Sequence, residues 1–238
     1  MAAHLWKARP ATQRDWNDAL AHPGLCQTHG MAVHHPAKIF PGKLELLQAW
    51  VPHQPWLVGA DASHLTKLGS YRFDDPAGEV GIETHLLSTV DGQVIQVPLT
   101  YRGAPRAAAE VSLITTMTHT TLGDRWIYDA CDDPAYVNAL VAAILTGGRE
   151  ADLFLATDEG FVQESVTTHV RGSGALPTSQ IPELPAPVAV HEGTTTRIRA
   201  DLALTLLRMP TVGTAASMLT GTWPGQQTPL LLASIDEH

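Results

Sequence analysis

Residues 80–101, VGIETHLLSTVDGQVIQVPLTY, decide the fold of this chain. Every second residue from Val80 to Leu86 is suited to a buried face, and the same alternation returns from Ile95 to Tyr101. Asp91-Gly92 lies between the two runs, and this pair is a strong hairpin signal because both residues of such a turn need positive φ. The pattern predicts two antiparallel strands, with Glu83 on the outer face of the first strand.

Helices are predicted on both sides of this hairpin. Lys43 to Val51 has the spacing of an amphipathic helix, and Ala107 to Met117 also fits helical periodicity. A further helix begins at Asp133, which can cap it, and Pro134 fits its first turn because no N–H is needed there. Gly147 ends that helix. Together with alternating runs beyond residue 150, these elements predict an α+β fold in which antiparallel sheet dominates.

Composition limits the kinds of function that the chain can have. It has 238 residues, 44% of them hydrophobic, and a net charge of −9. Such a charge disfavours general binding to nucleic acid or to an anionic membrane, because both need a basic surface. No apolar run approaches the roughly 20 residues of a membrane helix. The two cysteines, Cys26 and Cys131, are expected to be free thiols in a reducing cytoplasm.

Three motifs around the hairpin resemble the N-terminal cap domain of the maltokinase and aminosugar-kinase family. They are DDPAGEVGIE at 74–83, VPLTYRGAP at 97–105 and LGDRWIYD at 122–129. The resemblance covers about residues 40–147. It implies a curved antiparallel sheet with packed helices, in the setting of trehalose, maltose or glycogen metabolism.

The resemblance also implies a second module after the cap domain. In the family, a small β-rich lobe that holds ATP comes next, and a lysine on its second strand contacts the phosphates. We therefore expect an N-terminal arm at 1–40, a cap domain at 41–149 and a β-rich module resembling a degenerate kinase N-lobe at 150–238. In this chain Thr205 stands at the lysine position. A hydroxyl cannot neutralise phosphate charge as an ammonium does, so ATP and magnesium are not expected as cofactors.

These expectations favour a non-catalytic cap protein that acts as a binding or regulatory partner and lacks the kinase's catalytic lobe. Two alternatives stay open. The chain is half of a split sugar kinase that needs a separate catalytic chain, or it is a small-sugar-binding domain. In the last case Thr84, Gln96 and Thr100 would orient a sugar on the concave face of the sheet.

No catalytic set is recognisable, but four residues are candidates for ligand binding: His119, Asp129, Thr205 and Arg208. For His119, backbone hydrogen bonding at the end of a helix is favoured over a role as a base. The cluster of Asp129 with Cys131, Asp132 and Asp133 is not expected to hold a metal, because neighbouring side chains on a turn diverge.

A last prediction concerns Leu230 to Leu232. If this apolar run formed an uncovered edge strand, it would be paired or covered. The expectation is a protein partner or a homodimer through the C-terminal sheet, or coverage by the N-terminal arm.

Overall fold

The computed structural model describes residues 31–34, 39–157 and 160–236. These ranges contain the helices α1 (Lys43–Trp50) and α2 (Pro134–Thr146). The strands are, in chain order, β1 Met31–His34, β2 Ile39–Phe40, β3 Thr66–Phe73, β4 Gly81–Ser88, β5 Val94–Arg102, β6 Leu113–His119, β7 Gly123–Asp129, β8 Asp152–Thr157, β9 Gly160–Glu164, β10 His169–Gly172, β11 Val188–Glu192, β12 Thr195–Arg199, β13 Ala203–Thr211, β14 Ser217–Trp223 and β15 Gln226–Ile235.

Two six-stranded antiparallel sheets dominate the molecule, which confirms the α+β class and the curved antiparallel sheet. The first sheet has the strand order β2-β6-β7-β5-β4-β3, and the second has the order β10-β14-β15-β13-β12-β11. A third, small sheet has the order β1-β8-β9, with β1 parallel to β8. Most of the predicted arm at 1–40 lies outside the described residues, and the boundary at 149/150 stays a prediction.

The central strands of the first sheet, β4 and β5, are buried on both faces. One face packs against α1 and the fully buried Trp56, in a cluster that includes Leu47, Val97 and Ile127. The other face packs against α2 and the second sheet, in a larger cluster of 21 buried residues. Helix α2 therefore lies in the middle of the protein, between the two sheets.

The hairpin is confirmed, but its turn differs from the prediction. Strands β4 and β5 pair from Gly81↔Tyr101 to Ser88↔Val94. The connection spans five residues, and in it the Gly92 N–H donates to the Thr89 carbonyl. Gly92 has φ 79°, whereas Asp91 is not among the residues with positive φ. A longer loop of this kind needs only one left-handed residue.

The prediction of a helix at Ala107 to Met117 was wrong. Residues Leu113–His119 form strand β6, which pairs with β7. Ile114, Thr115, Thr116 and Thr118 are β-branched and suit a strand better than a helix. The predicted capping of α2 is confirmed, since the Asp133 side chain accepts from the Ala135 N–H and Gly147 adopts the left-handed conformation at φ 68°.

The final strand is not an exposed edge. Strand β15 pairs with β13 on one side and with β14 on the other, and Leu232 is fully buried. The reason given for dimerisation at Leu230 to Leu232 therefore does not hold, because neighbouring strands of the same chain already pair with this run. Association through the C-terminal sheet remains a prediction without that argument.

Candidate functional site

Two of the four candidate residues meet in the interior. Arg208 comes from β13 in the second sheet, and Asp129 ends β7 in the first sheet. The Arg208 Nη2 atom lies 2.5 Å from Asp129 Oδ2. Arg208 has no exposed surface and Asp129 is 7% exposed, so this is a buried ion pair between the two sheets.

Other groups complete the surroundings of the Arg208 guanidinium. Its Nε donates to Thr196 Oγ1 at 2.8 Å, and Nη2 also contacts Cys131 Sγ at 3.1 Å. The group lies over the Trp56 ring with its Cζ 4.6 Å from the ring centroid, which is cation–π geometry. Burial alone would lower the pKa of Arg208, but Asp129 raises it, so the guanidinium stays charged. Burial also raises the pKa of the Cys131 thiol, which therefore stays protonated.

A break in strand pairing brings this part of β13 to the first sheet. Strands β13 and β15 pair at Leu206↔Ala233 and again at Thr211↔Leu231, with a register shift between these pairs. The Gln96 side chain from β5 fills the gap, and its Nε2 donates to the carbonyls of Leu207 at 2.5 Å and Leu232 at 2.7 Å. We call Gln96, Asp129, Leu207 and Arg208 the junction, because they join the two sheets.

Thr205 lies elsewhere, on the side of β13 that faces Asp236. Its hydroxyl lies 3.1 Å from both carboxylate oxygens of Asp236. The same carboxylate forms an ion pair of 3.0 Å with Arg197. The Asp236 carboxylate beside Thr205 is therefore bound by both a hydroxyl and a guanidinium.

His119 lies apart from the other three candidates. It ends β6 at the far end of β7 from Asp129, opposite Gly123. Its Nδ1 accepts from the backbone N–H groups of Thr121 and Leu122 at 3.2 and 3.1 Å. The backbone bonding matches the favoured interpretation, but it stabilises a strand turn instead of a helix end.

The three residues proposed to orient a sugar are all buried. Thr84, Gln96 and Thr100 are at most 1% exposed and face the second sheet and α2. Thr100 Oγ1 donates to Asp133, which also accepts two bonds from the Arg102 guanidinium. Because these polar groups are bonded within the core or sealed beneath it, they do not line an open sugar site on this sheet.

The placement of Glu83 on an outer face was also wrong. Glu83 is 5% exposed, and Lys43 from α1 lies 2.5 Å from its carboxylate. His85 Nε2 lies 3.8 Å from Glu83 and 3.2 Å from the Tyr101 hydroxyl, and Arg72 lies 3.6 Å from Glu83. Burial opposes ionisation of Glu83, but His85, once it is protonated in acid, and Lys43 and Arg72 hold the pKa of Glu83 well below the usual value.

For His85, unlike Glu83, burial outweighs the attraction of the neighbouring opposite charge. Burial lowers its pKa to about 4, with Glu83 opposing this effect and Lys43, Lys67 and Arg72 adding to it. The imidazole is therefore neutral at neutral pH. These charged and titratable side chains surround one carboxylate under α1, an arrangement that ties the helix to the sheet.

An open cleft was missed by the sequence analysis. It lies beside the C-terminal end of α2, has a volume of about 300 Å³, and is lined by polar residues that include Arg149, Glu150, His169, Arg171 and Thr222. A neighbouring cleft of about 300 Å³ shares the first three and adds Asp152, Gln163 and Ser165. Glu150 and His169 are 19 residues apart and belong to no recognisable motif, so nothing local in the sequence predicts that they meet.

Membrane and metal sites receive no support from the described residues. In the described ranges, neither helix is both long and apolar enough to cross a bilayer. Within residues 31–34, 39–157 and 160–236, His, Cys, Asp and Glu side chains do not gather in groups of three or more that could hold a metal ion.

Comparison with known proteins agrees with the resemblance seen in the sequence. Residues 50–133 match the family model of the maltokinase N-terminal cap domain, and this range lies within the predicted 40–147. No curated protein matches the chain. The match includes Trp56 and Asp129 but not their partner Arg208. Residues 50–133, which include most of the first sheet, are therefore similar to the maltokinase N-terminal cap domain.

Proposed function

We propose that this protein is a non-catalytic, cytoplasmic relative of maltokinases that acts as a binding or regulatory partner in trehalose, maltose or glycogen metabolism. The observation that carries the proposal is the contact between Thr205 and Asp236. By resemblance, Thr205 occupies the position of a lysine that contacts ATP phosphates. Asp236, 3.1 Å from that position, also pairs with Arg197, so the nearby positive charge is neutralised where phosphoryl transfer needs it.

The burial of Arg208 supports the same proposal. It follows Thr205 by three positions on β13, and its guanidinium is fully buried against Asp129, Thr196 and Trp56. A buried guanidinium bonded in this way is not available to a nucleotide. Both polar candidates on β13 therefore serve contacts within the protein.

The cytoplasmic setting has support from one side chain. Cys131 is a free and buried thiol. Free thiols are typical of proteins in reducing compartments.

The direct test is incubation of the purified full chain with Mg-ATP and either maltose or glucosamine, with sugar phosphate as the readout. We expect no product, and we expect no change in Tm when millimolar Mg-ATP is added, because a ligand raises Tm only by binding the native state. Mg-ATP-dependent phosphorylation by the chain alone would overturn the proposal.

A mixing experiment separates the partner role from a split kinase. The chain is combined with a purified kinase chain encoded beside its own gene, and both association and ATP turnover are measured. We expect association that alters the activity already present in the kinase chain. Turnover that appears only in the mixture, with neither chain active alone, would identify a split kinase instead.

A further inference from the structure

The paired clefts at Arg149 and His169 lie outside the segment that matches the cap family; the first is on the second sheet, and the second lies between β10 of that sheet and strands β8 and β9 of the small sheet. They are continuous through Arg149, Glu150 and His169, which line both. Each volume of about 300 Å³ is at the lower end of the range for small-molecule sites. Together they offer an elongated polar surface next to the edge strand β10.

The first cleft is suited to an anion. Arg171 is exposed at its rim and makes no ion pair with a described residue. Arg149 also lines it, and the single carboxylate, that of Glu150, is 95% buried below. Because Arg149 is paired with Asp152 and Glu150 lies below the surface, Arg171 is the exposed charge of this cleft in a protein of net charge −9. The Thr222 hydroxyl adds a donor, and guanidinium and hydroxyl donors are the groups that bind phosphate oxygens.

His169 is held in one orientation by that buried carboxylate. Glu150 Oε2 accepts from the Val170 N–H at 2.9 Å, and Oε1 lies 2.8 Å from His169 Nδ1. Nδ1 carries the proton that faces a carboxylate, so in the neutral ring Nε2 is an acceptor. The His169 side chain is 62% exposed, which leaves Nε2 open to a hydroxyl donor.

The second cleft has groups that suit hydroxyls better than a second anion. Arg149 is neutralised there by Asp152, whose two carboxylate oxygens both lie 3.0 Å from its Nη2. Gln163 and Ser165 supply an amide and a hydroxyl. Charge therefore changes along the surface, from positive at Arg171 to neutral or negative beyond His169.

From this polarity we infer that the paired clefts bind a phosphorylated sugar, with its phosphate at Arg171 and Thr222 and its hydroxyls at His169, Gln163 and Ser165. The inference names a ligand class for the binding role proposed above, and it rests on that role. It moves the sugar site from the buried face of the first sheet to the second sheet.

The test uses amide chemical-shift mapping of the full-length protein with three probes: glucose 6-phosphate, glucose and inorganic phosphate. We expect glucose 6-phosphate to shift resonances of residues 149–152, 163–171 and 220–222, and to bind at least about tenfold more tightly than either other probe. Absence of shifts in these segments at millimolar glucose 6-phosphate would overturn the inference. Inorganic phosphate binding as tightly as the sugar phosphate would overturn its sugar part.

Three variants assign the two ends of the ligand. R171Q is expected to weaken glucose 6-phosphate binding by about tenfold or more, because it removes a charge-assisted contact. H169Q is expected to weaken glucose 6-phosphate binding but to leave the binding of inorganic phosphate unchanged. The matched control is R199Q, which removes an exposed arginine from β12 of the same sheet and should leave binding unchanged. Equal weakening by R199Q and R171Q would mean a general charge effect and no site.

The outcome of these binding experiments can be distinguished from the outcome of the phosphorylation assay that tests the proposed function. If the cleft resonances do not shift and the chain also makes no sugar phosphate from Mg-ATP, only the ligand inference fails. If the chain phosphorylates maltose, the non-catalytic function fails whatever the mapping shows.

Discussion

The two large sheets have the same number of strands, but they differ in how far other elements cover their faces. In β4 of the first sheet every residue from Ile82 to Leu87 is buried, whichever face its side chain occupies. In β10 and β12 of the second sheet, buried residues alternate with exposed or half-exposed ones. The central strands of the first sheet are covered by other elements on both faces, whereas the second sheet has an open face at β10 and β12.

This difference separates structural polar residues from residues that are free to bind. A polar group buried inside the first sheet costs free energy when it is unpaired, which favours a partner within the protein. Glu83, Gln96 and Thr100 are bonded in this way. On the second sheet, by contrast, His169 and Arg171 reach solvent. The comparison leads us to expect large effects from changing buried polar groups and small ones from changing exposed groups.

The junction gives the sharpest test of the first half of this comparison. D129A leaves the Arg208 charge buried without its partner, and we expect a loss of about 3–5 kcal/mol in the free energy of unfolding. Urea denaturation of the full-length protein measures it.

A second variant separates the effect of the unpaired buried charge on stability from the effect of lost packing. In the double variant D129A/R208M, the unpaired charge is also removed, so a substantial part of the stability should return. A loss below about 1 kcal/mol for D129A would mean that the pair is solvated, and would remove the distinction between buried and open regions.

The buried His85 predicts a pH dependence of stability. Its folded pKa of about 4 is below the usual value of about 6.5, so the folded state disfavours the charged ring. As pH falls from about 6.5 to 4, the unfolded chain binds a proton that the folded protein does not. The free energy of unfolding should then drop by up to about 1.4 kcal/mol per pH unit, or about 3 kcal/mol in total.

The measurement compares wild type with H85Q across this window. Glu83 contributes little above a pH of about 5, because its carboxylate is ionised in both the folded and the unfolded chain there; its lowered folded pKa affects stability only near and below the usual value of about 4.3. Asp74 has a pKa raised to about 6 by burial and opposes the trend, but it is present in both proteins. Parallel stability curves for wild type and H85Q would show that His85 is accessible to protons and that this face is not sealed.

Local chemistry made part of this fold predictable. The start of α2 at Asp133 and Pro134, its end at Gly147 and the pairing of β4 with β5 all depend on neighbouring residues. Strand β6 was mistaken for a helix, because helical spacing was present and its partner β7 supplies the decisive hydrogen bonds. The identity of a partner strand is not encoded in the segment itself.

The errors at the candidate sites have a second cause. Alternation places Glu83 outside only if one face of its strand is open, and the covering helix α1 comes from a distant segment. Asp129 and Arg208 were each singled out, but they are 79 residues apart, and their meeting depends on the break between β13 and β15. Tertiary packing decided these positions.

Gln96 allows a test of whether one side chain can supply the hydrogen bonds that are missing where the pairing of β13 with β15 is interrupted. Replacement by Leu in Q96L removes both bonds to the carbonyls of Leu207 and Leu232, and we expect a loss of about 2 kcal/mol because two buried acceptors are left unpaired. The control is Q227L on exposed Gln227 of β15, which should change stability by less than about 0.5 kcal/mol. Equal losses in both variants would mean that water replaces the amide and that the sheets are not tightly joined there.

The smallest effect is expected at Arg197, which allows a direct contrast with Arg208 on the neighbouring strand. Arg197 makes two ion pairs, with Glu192 at 2.7 Å and Asp236 at 3.0 Å, but its side chain is 46% exposed. Water already solvates such pairs, so R197Q should lower stability far less than D129A does, and a salt concentration of about 0.5 M NaCl should reduce even that small loss. Urea denaturation at low and high salt measures both quantities. A salt-independent loss as large as that of D129A would mean that the face of β12 is covered in solution, and the open face of the second sheet would then have to be reassigned as an interface.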